Sequence, residues 1–110
     1  RMSETAHNFI RDPQNELFVS VASAWEMAIK ISTGKLTVGQ EIGRFLNDQL
    51  SHNRMELLAI EISHLSKVAT LPFHHKDPFD RLLVAQAIIH GMTIVTPDQA
   101  IEQYAVRTLW

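Results

Sequence analysis

Glu26, Asp77, Asp80 and Asp98 are the residues whose type and placement could do chemistry. Each stands at or near the expected start of a helix. Glu26 follows Ser23 at capping-box spacing, Asp77 precedes Pro78, Asp80 lies in the turn that follows, and Asp98 comes directly after Thr96-Pro97. Any one of them has a purely structural explanation, because a carboxylate at a helix start accepts backbone N–H groups and meets the positive end of the helix dipole, worth ~0.3–1 kcal/mol. The four together mean more if the fold gathers them. Carboxylates that share a cleft repel unless protonated or paired with a cation, and an oxygen ligand set suits Mg²⁺ or Mn²⁺. The chain has no cysteine, so thiolate sites are excluded and any metal is held by oxygen or imidazole. Metal-assisted phosphoryl chemistry is the reaction class such a site would serve.

Whether the acids converge depends on the elements that carry them. Ser3 to Ile10 has helical character and stops at Asp12-Pro13; Leu17 to Val21 is a short apolar run suited to a buried strand. Ser23 to Glu26 fits a capping box for a helix with apolar Ala28, Ile29 and Ile31, ended by Gly34. Beyond a turn at Lys35 to Val38, Ile42, Phe45, Leu46 and Leu50 recur at helical spacing. A strand at Met55 to Ile60, a helix at Ser63 to Thr70 closed by Pro72, and a loop at Phe73 to Lys76 follow. Asp77-Pro78-Phe79-Asp80 then opens the best-signalled helix, with Asp77 as N-cap, Pro78 at the first helical position and Gly91 as the stop. Met92 to Thr96 is a strand, Asp98-Gln99 starts a short helix to Tyr104, and Val106 to Leu109 is a last strand. Strands alternating with helices through short connections imply an α/β domain with a parallel sheet covered on both faces. In such a sheet, helices that follow a strand and helices that feed the next one both begin at the carboxyl edge, which is where open α/β sheets bind ligands. All four acids are therefore expected at that edge.

Composition sets the bounds. With 110 residues, 45% of them hydrophobic, the chain can bury one core, so a single domain over residues 1–110 is expected. No apolar run approaches the ~20 residues of a membrane span, and the first residues lack a signal-peptide core, so a cytoplasmic protein without a membrane partner is expected. A formal net charge of −2 argues against gripping nucleic acid through a broad basic field, but an acidic metal site itself subtracts from the charge.

Three stretches carry a resemblance. Phe18-Val19-Ser20-Val21-Ala22-Ser23-Ala24-Trp25-Glu26-Met27-Ala28-Ile29-Lys30, then Leu71-Pro72 with His74-His75-Lys76-Asp77-Pro78-Phe79-Asp80-Arg81-Leu82-Leu83-Val84-Ala85-Gln86-Ala87, then Thr96-Pro97-Asp98 resemble successive segments of PIN-domain toxins of the VapC type. The resemblance implies a three-layer, Rossmann-like PIN domain with a central parallel sheet. It also implies a Mg²⁺- or Mn²⁺-dependent endoribonuclease, the toxin of a toxin–antitoxin pair. Residue by residue, it assigns Glu26, Asp80 and Asp98 as catalytic and metal-binding acids, with Asp77 as a further metal-binding acid of the subgroup. The implied partners are RNA as substrate, a small antitoxin that covers the acidic cleft, and a second copy of the chain. Such proteins typically open with a strand ending in an aspartate; nothing before Leu17 supplies one, so an N-terminally incomplete domain is expected. That departure supports a rival from another class, a catalytically inactive PIN-like module for binding or self-association. A receiver-like or other Rossmann-like phosphohydrolase would need an acidic motif after its first strand, and none is present.

Other residues read as structural. His74 and His75 could ligate a metal or help position phosphate, but loop histidines without i,i+4 spacing are more often structural; Arg81 either meets phosphate or pairs with a neighbouring acid, and Trp25 and Trp110 suit packing or an interface better than base stacking. Ser20 and Ser23 have no base beside them to make a nucleophile.

Overall fold

Capping chemistry sets most element boundaries. In the computed structural model, which describes residues 2–110, helix α1 (Glu4–Arg11) opens on Ser3, whose Oγ accepts the Ala6 N–H at 3.1 Å. Strand β1 (Leu17–Ser20) leads directly into helix α2 (Val21–Ser32). The expected cap at Ser23 is not the one used. Ser20 is buried, and its Oγ accepts the Ala22 N–H at 3.1 Å, so the helix begins a turn earlier and Glu26 lies inside it, away from the cap. A hydroxyl at that buried position needs a partner, and capping supplies one. Helix α3 (Ile42–His52) opens on Glu41, which accepts the N–H groups of Gly43 and Arg44 at 2.7 and 3.1 Å. Strand β2 (Met55–Leu58), helix α4 (Ile62–Thr70), helix α5 (Pro78–His90), strand β3 (Thr93–Val95), helix α6 (Gln99–Glu102) and strand β4 (Arg107–Leu109) complete the order.

The chain forms two compact units, Glu16–Ala59 in one and residues up to Asn15 together with Ile60–Trp110 in the other. In the first, β1 and β2 run parallel with Leu17 opposite Met55 and Ser20 opposite Leu58; α2 packs on β1 and α3 on β2. In the second, β3 and β4 run parallel with Thr93 opposite Arg107 and Val95 opposite Leu109; α5 packs on α4 and β3. The strand-helix alternation thus gives parallel pairing throughout, in two separate pairs among the described residues.

Helix α5 is the centre of the second unit. Val84, Ala85 and Ala87 of α5 join Leu71, Ile94, Ile101 and Tyr104 in one buried cluster. Its start follows the sequence closely: Asp77 Oδ1 accepts the N–H groups of Phe79 and Asp80 at 2.8 and 3.2 Å, and Pro78 takes the first turn, where a missing N–H costs nothing. Its end requires Gly91, at φ +65°, which reverses the chain into β3. No helix among the described residues is long and apolar enough to cross a membrane.

Candidate metal centre

Because α5 feeds β3 through a tight reversal, the carboxyl end of β3 returns toward the first turn of α5. Asp80 lies in that first turn and Asp98 follows β3, and the loop before α5 brings His75 between them. His75 Nε2 is 2.7 Å from Asp98 Oδ2 and 3.1 Å from Asp80 Oδ2. The Asp77 N–H donates to His75 Nδ1 at 3.1 Å, so the neutral ring carries its proton on Nε2 and donates it toward the two carboxylates. Asp98 is fixed from its other side: Oδ1 accepts the Ala100 N–H at 2.9 Å, and Thr96 Oγ1 accepts the Asp98 N–H at 3.1 Å.

The electrostatics follow from these contacts. The hydrogen bond to Asp98 raises His75 above the usual histidine value; burial opposes this, and the charges of Asp80, Asp98 and Asp77 add to it. The Ala100 N–H and then His75 hold Asp98 below the usual carboxylate value. One ligand atom from each of His75, Asp80 and Asp98 lies within 4.8 Å of the others. The shared Nε2 proton sits between two carboxylate oxygens, where positive charge is stabilised, so the donor set fits a hard divalent cation with an imidazole beside it.

A second layer holds the loop that carries His75. The N–H groups of His74 and His75 donate to Tyr104 Oη at 3.1 and 3.0 Å, and Arg81 Nη1 donates to the same oxygen at 3.2 Å. Arg81 is buried and makes no ion pair with an acid among the described residues. Its guanidinium donates to the carbonyls of Pro72 (2.9 Å), Val68 (3.1 Å) and Leu71 (3.4 Å), and Phe73 stacks on it at 4.1 Å. It staples the end of α4 to α5, a placement in which carbonyls and the Tyr104 hydroxyl, not a neighbouring acid, take its hydrogen bonds. His74 packs edge-on against the Tyr104 ring, a structural place.

Of the acids singled out in the sequence, Asp80 and Asp98 are brought together around His75. Asp77 spends Oδ1 on the cap of α5 and reaches His75 through its backbone N–H and its charge. Glu26 belongs to the other unit, where its Oε2 is 3.8 Å from Lys30 Nζ one helical turn on. Tyr104 escaped the sequence reading, and His75 was weighed there but read as structural. The only local hint of His75 was an imidazole just ahead of a helix start with acids in its first turn.

The model of one family, described as PIN domain, matches residues 2–107. No curated protein matches the chain.

Proposed function

Since the chain belongs to the PIN domain family, whose domains are generally metal-dependent nucleases, we propose that it is a Mg²⁺- or Mn²⁺-dependent endoribonuclease. The observation that carries this reading is the convergence of Asp80 and Asp98 on one point beside His75. In this reading Asp80 and Asp98 hold the ion and Asp77 serves as an outer-shell charge, while the VapC resemblance assigns Glu26 as a further metal-binding acid. When bound, the ion supplies Lewis acidity that activates water and stabilises the leaving oxygen of a phosphodiester. The residues of the chain do the positioning. The Ala100 N–H fixes Asp98, the cap of α5 fixes Asp80, and Tyr104 fixes the His75 loop. The VapC-like segments extend the proposal to a cytoplasmic toxin that self-associates and is silenced by a small antitoxin over the acidic edge.

An RNA cleavage assay titrated with Mn²⁺ and Mg²⁺ tests the reading. Asp80→Asn and Asp98→Asn should each lower cleavage by about 100-fold or more, since even outer-shell partners of a metal are worth 10–100-fold. Glu26→Gln should fall as far if it completes the ligand set, and should change little if its role ends with Lys30. Ion binding without cleavage at any concentration would favour the rival, a PIN-like binding module.

A further inference from the structure

A second polar cluster lies away from the acids, where the start of α4 meets the end of α5. His64 is fully buried in the first turn of α4, His90 is exposed in the last turn of α5, and Glu61 caps α4 with its side chain 64% exposed. His64 Nε2 is 2.8 Å from His90 Nε2 and 3.8 Å from Glu61 Oε1, and one ligand atom from each residue lies within 4.8 Å of the others. The Glu61 N–H donates to His64 Nδ1 at 2.9 Å, so the Nε2 proton of His64 is the one held between the two rings.

From this arrangement we propose that Glu61, His64 and His90 form a zinc site that clamps α4 to α5, separate from the acidic centre. The ligand chemistry selects the ion. Two imidazoles, one carboxylate and an open position for water suit Zn²⁺, whereas Mg²⁺ and Mn²⁺ favour the oxygen-rich centre. Zinc–nitrogen bonds of about 2.0–2.1 Å at a tetrahedral angle place the two nitrogens roughly 3.3 Å apart. The rings must therefore part slightly from 2.8 Å, and His90, exposed at a helix end, can move. The proton balance is simple. The His64 Nε2 proton passes to Nδ1, the ring stays neutral, and the ion occupies the space between the nitrogens. Nδ1–H then needs an acceptor. The buried Gln86 side-chain amide, 3.4 Å away, is the neighbouring group that carries an acceptor oxygen, while the displaced Glu61 N–H lies at an exposed helix start where water takes it.

Calorimetric titration of the whole chain with ZnCl₂ tests the proposal. The wild type should take up two equivalents, one of them lost in Asp98→Asn, which disables the acidic centre. The other should be lost or weakened by roughly tenfold or more in His90→Ala and in Glu61→Gln, both changes at exposed side chains, with the fold checked by circular dichroism. Saturating zinc should raise the melting temperature of the wild type in excess Mg²⁺, but not that of His90→Ala. Either variant binding both equivalents with wild-type affinity would overturn the proposal. RNA cleavage by His90→Ala should match the wild type, so failure of this site leaves the nuclease reading untouched, and the reverse.

Discussion

At the scale of single residues, the proposed function sets a histidine proton and a divalent ion in competition for the same two carboxylate oxygens. His75 sits above its ordinary value of 6.5 and therefore favours the folded state below that pH, losing its contribution as pH climbs through the raised value. Asp98 sits below its ordinary 3.8, so its contribution is present above that pH and is lost as pH falls through the lowered value. The pair thus works fully between pH 3.8 and 6.5. Without metal, the urea midpoint of the wild type should exceed that of His75→Ala by most inside this window, and the gap should close on the alkaline side. Mn²⁺ affinity should show the mirror image, falling in the wild type as acid charges His75 and falling less in the variant. A gap that does not vary with pH would mean that His75 acts by packing alone. Sequence reasoning could not place this residue, because its partner Asp98 is 23 positions away and no period or local motif links a loop to the turn after a later strand.

At the scale of elements, boundaries were legible wherever one cap had no competitor. Helix α5 was: Asp77, Pro78 and Gly91 each admit one local role, and each takes it. Helix α2 was not: the capping-box spacing of Ser23 and Glu26 pointed to Ser23, whereas the buried Ser20 takes the cap. The same contest between cap and ligand continues at Asp77. Asp77→Asn keeps an acceptor at the N-cap, so it should leave stability within about 0.5 kcal/mol, whereas Asp77→Ala should cost about 1 kcal/mol. If the charge matters only from the outer shell, Asp77→Asn should weaken Mn²⁺ by roughly tenfold at most. A loss as large as that of Asp98→Asn would make Asp77 a direct ligand.

At the scale of the whole molecule, the alternation of strands and helices announced parallel pairing, but which strands pair was not written in any local pattern. Two-stranded pairs are marginal alone and lean on what covers them. Here the cover differs. The β3–β4 pair is backed by the cluster around α5, whereas the buried residues of Glu16–Ala59 are only Ser20, Ala22 and Ala24. Hydrogen exchange should therefore release the amides of β1 and β2 well before those of α5 and β3, as expected of segments with few buried apolar contacts. Uniform protection across all four strands would show that the first unit is held by more than its own packing.

The Tyr104 hydroxyl receives three donors, from His74, His75 and Arg81, on an oxygen with two lone pairs. Donors that share an acceptor in this way have no separable energies. Removing one lets the others tighten, and removing the oxygen strands all of them at once. The energetic worth of Arg81 is thus defined only in the presence of Tyr104, and losing both would cost less than the sum of the single losses. Helix α6, too short to be stable alone, thereby sets the rigidity of the loop before α5 through one oxygen atom just beyond its end.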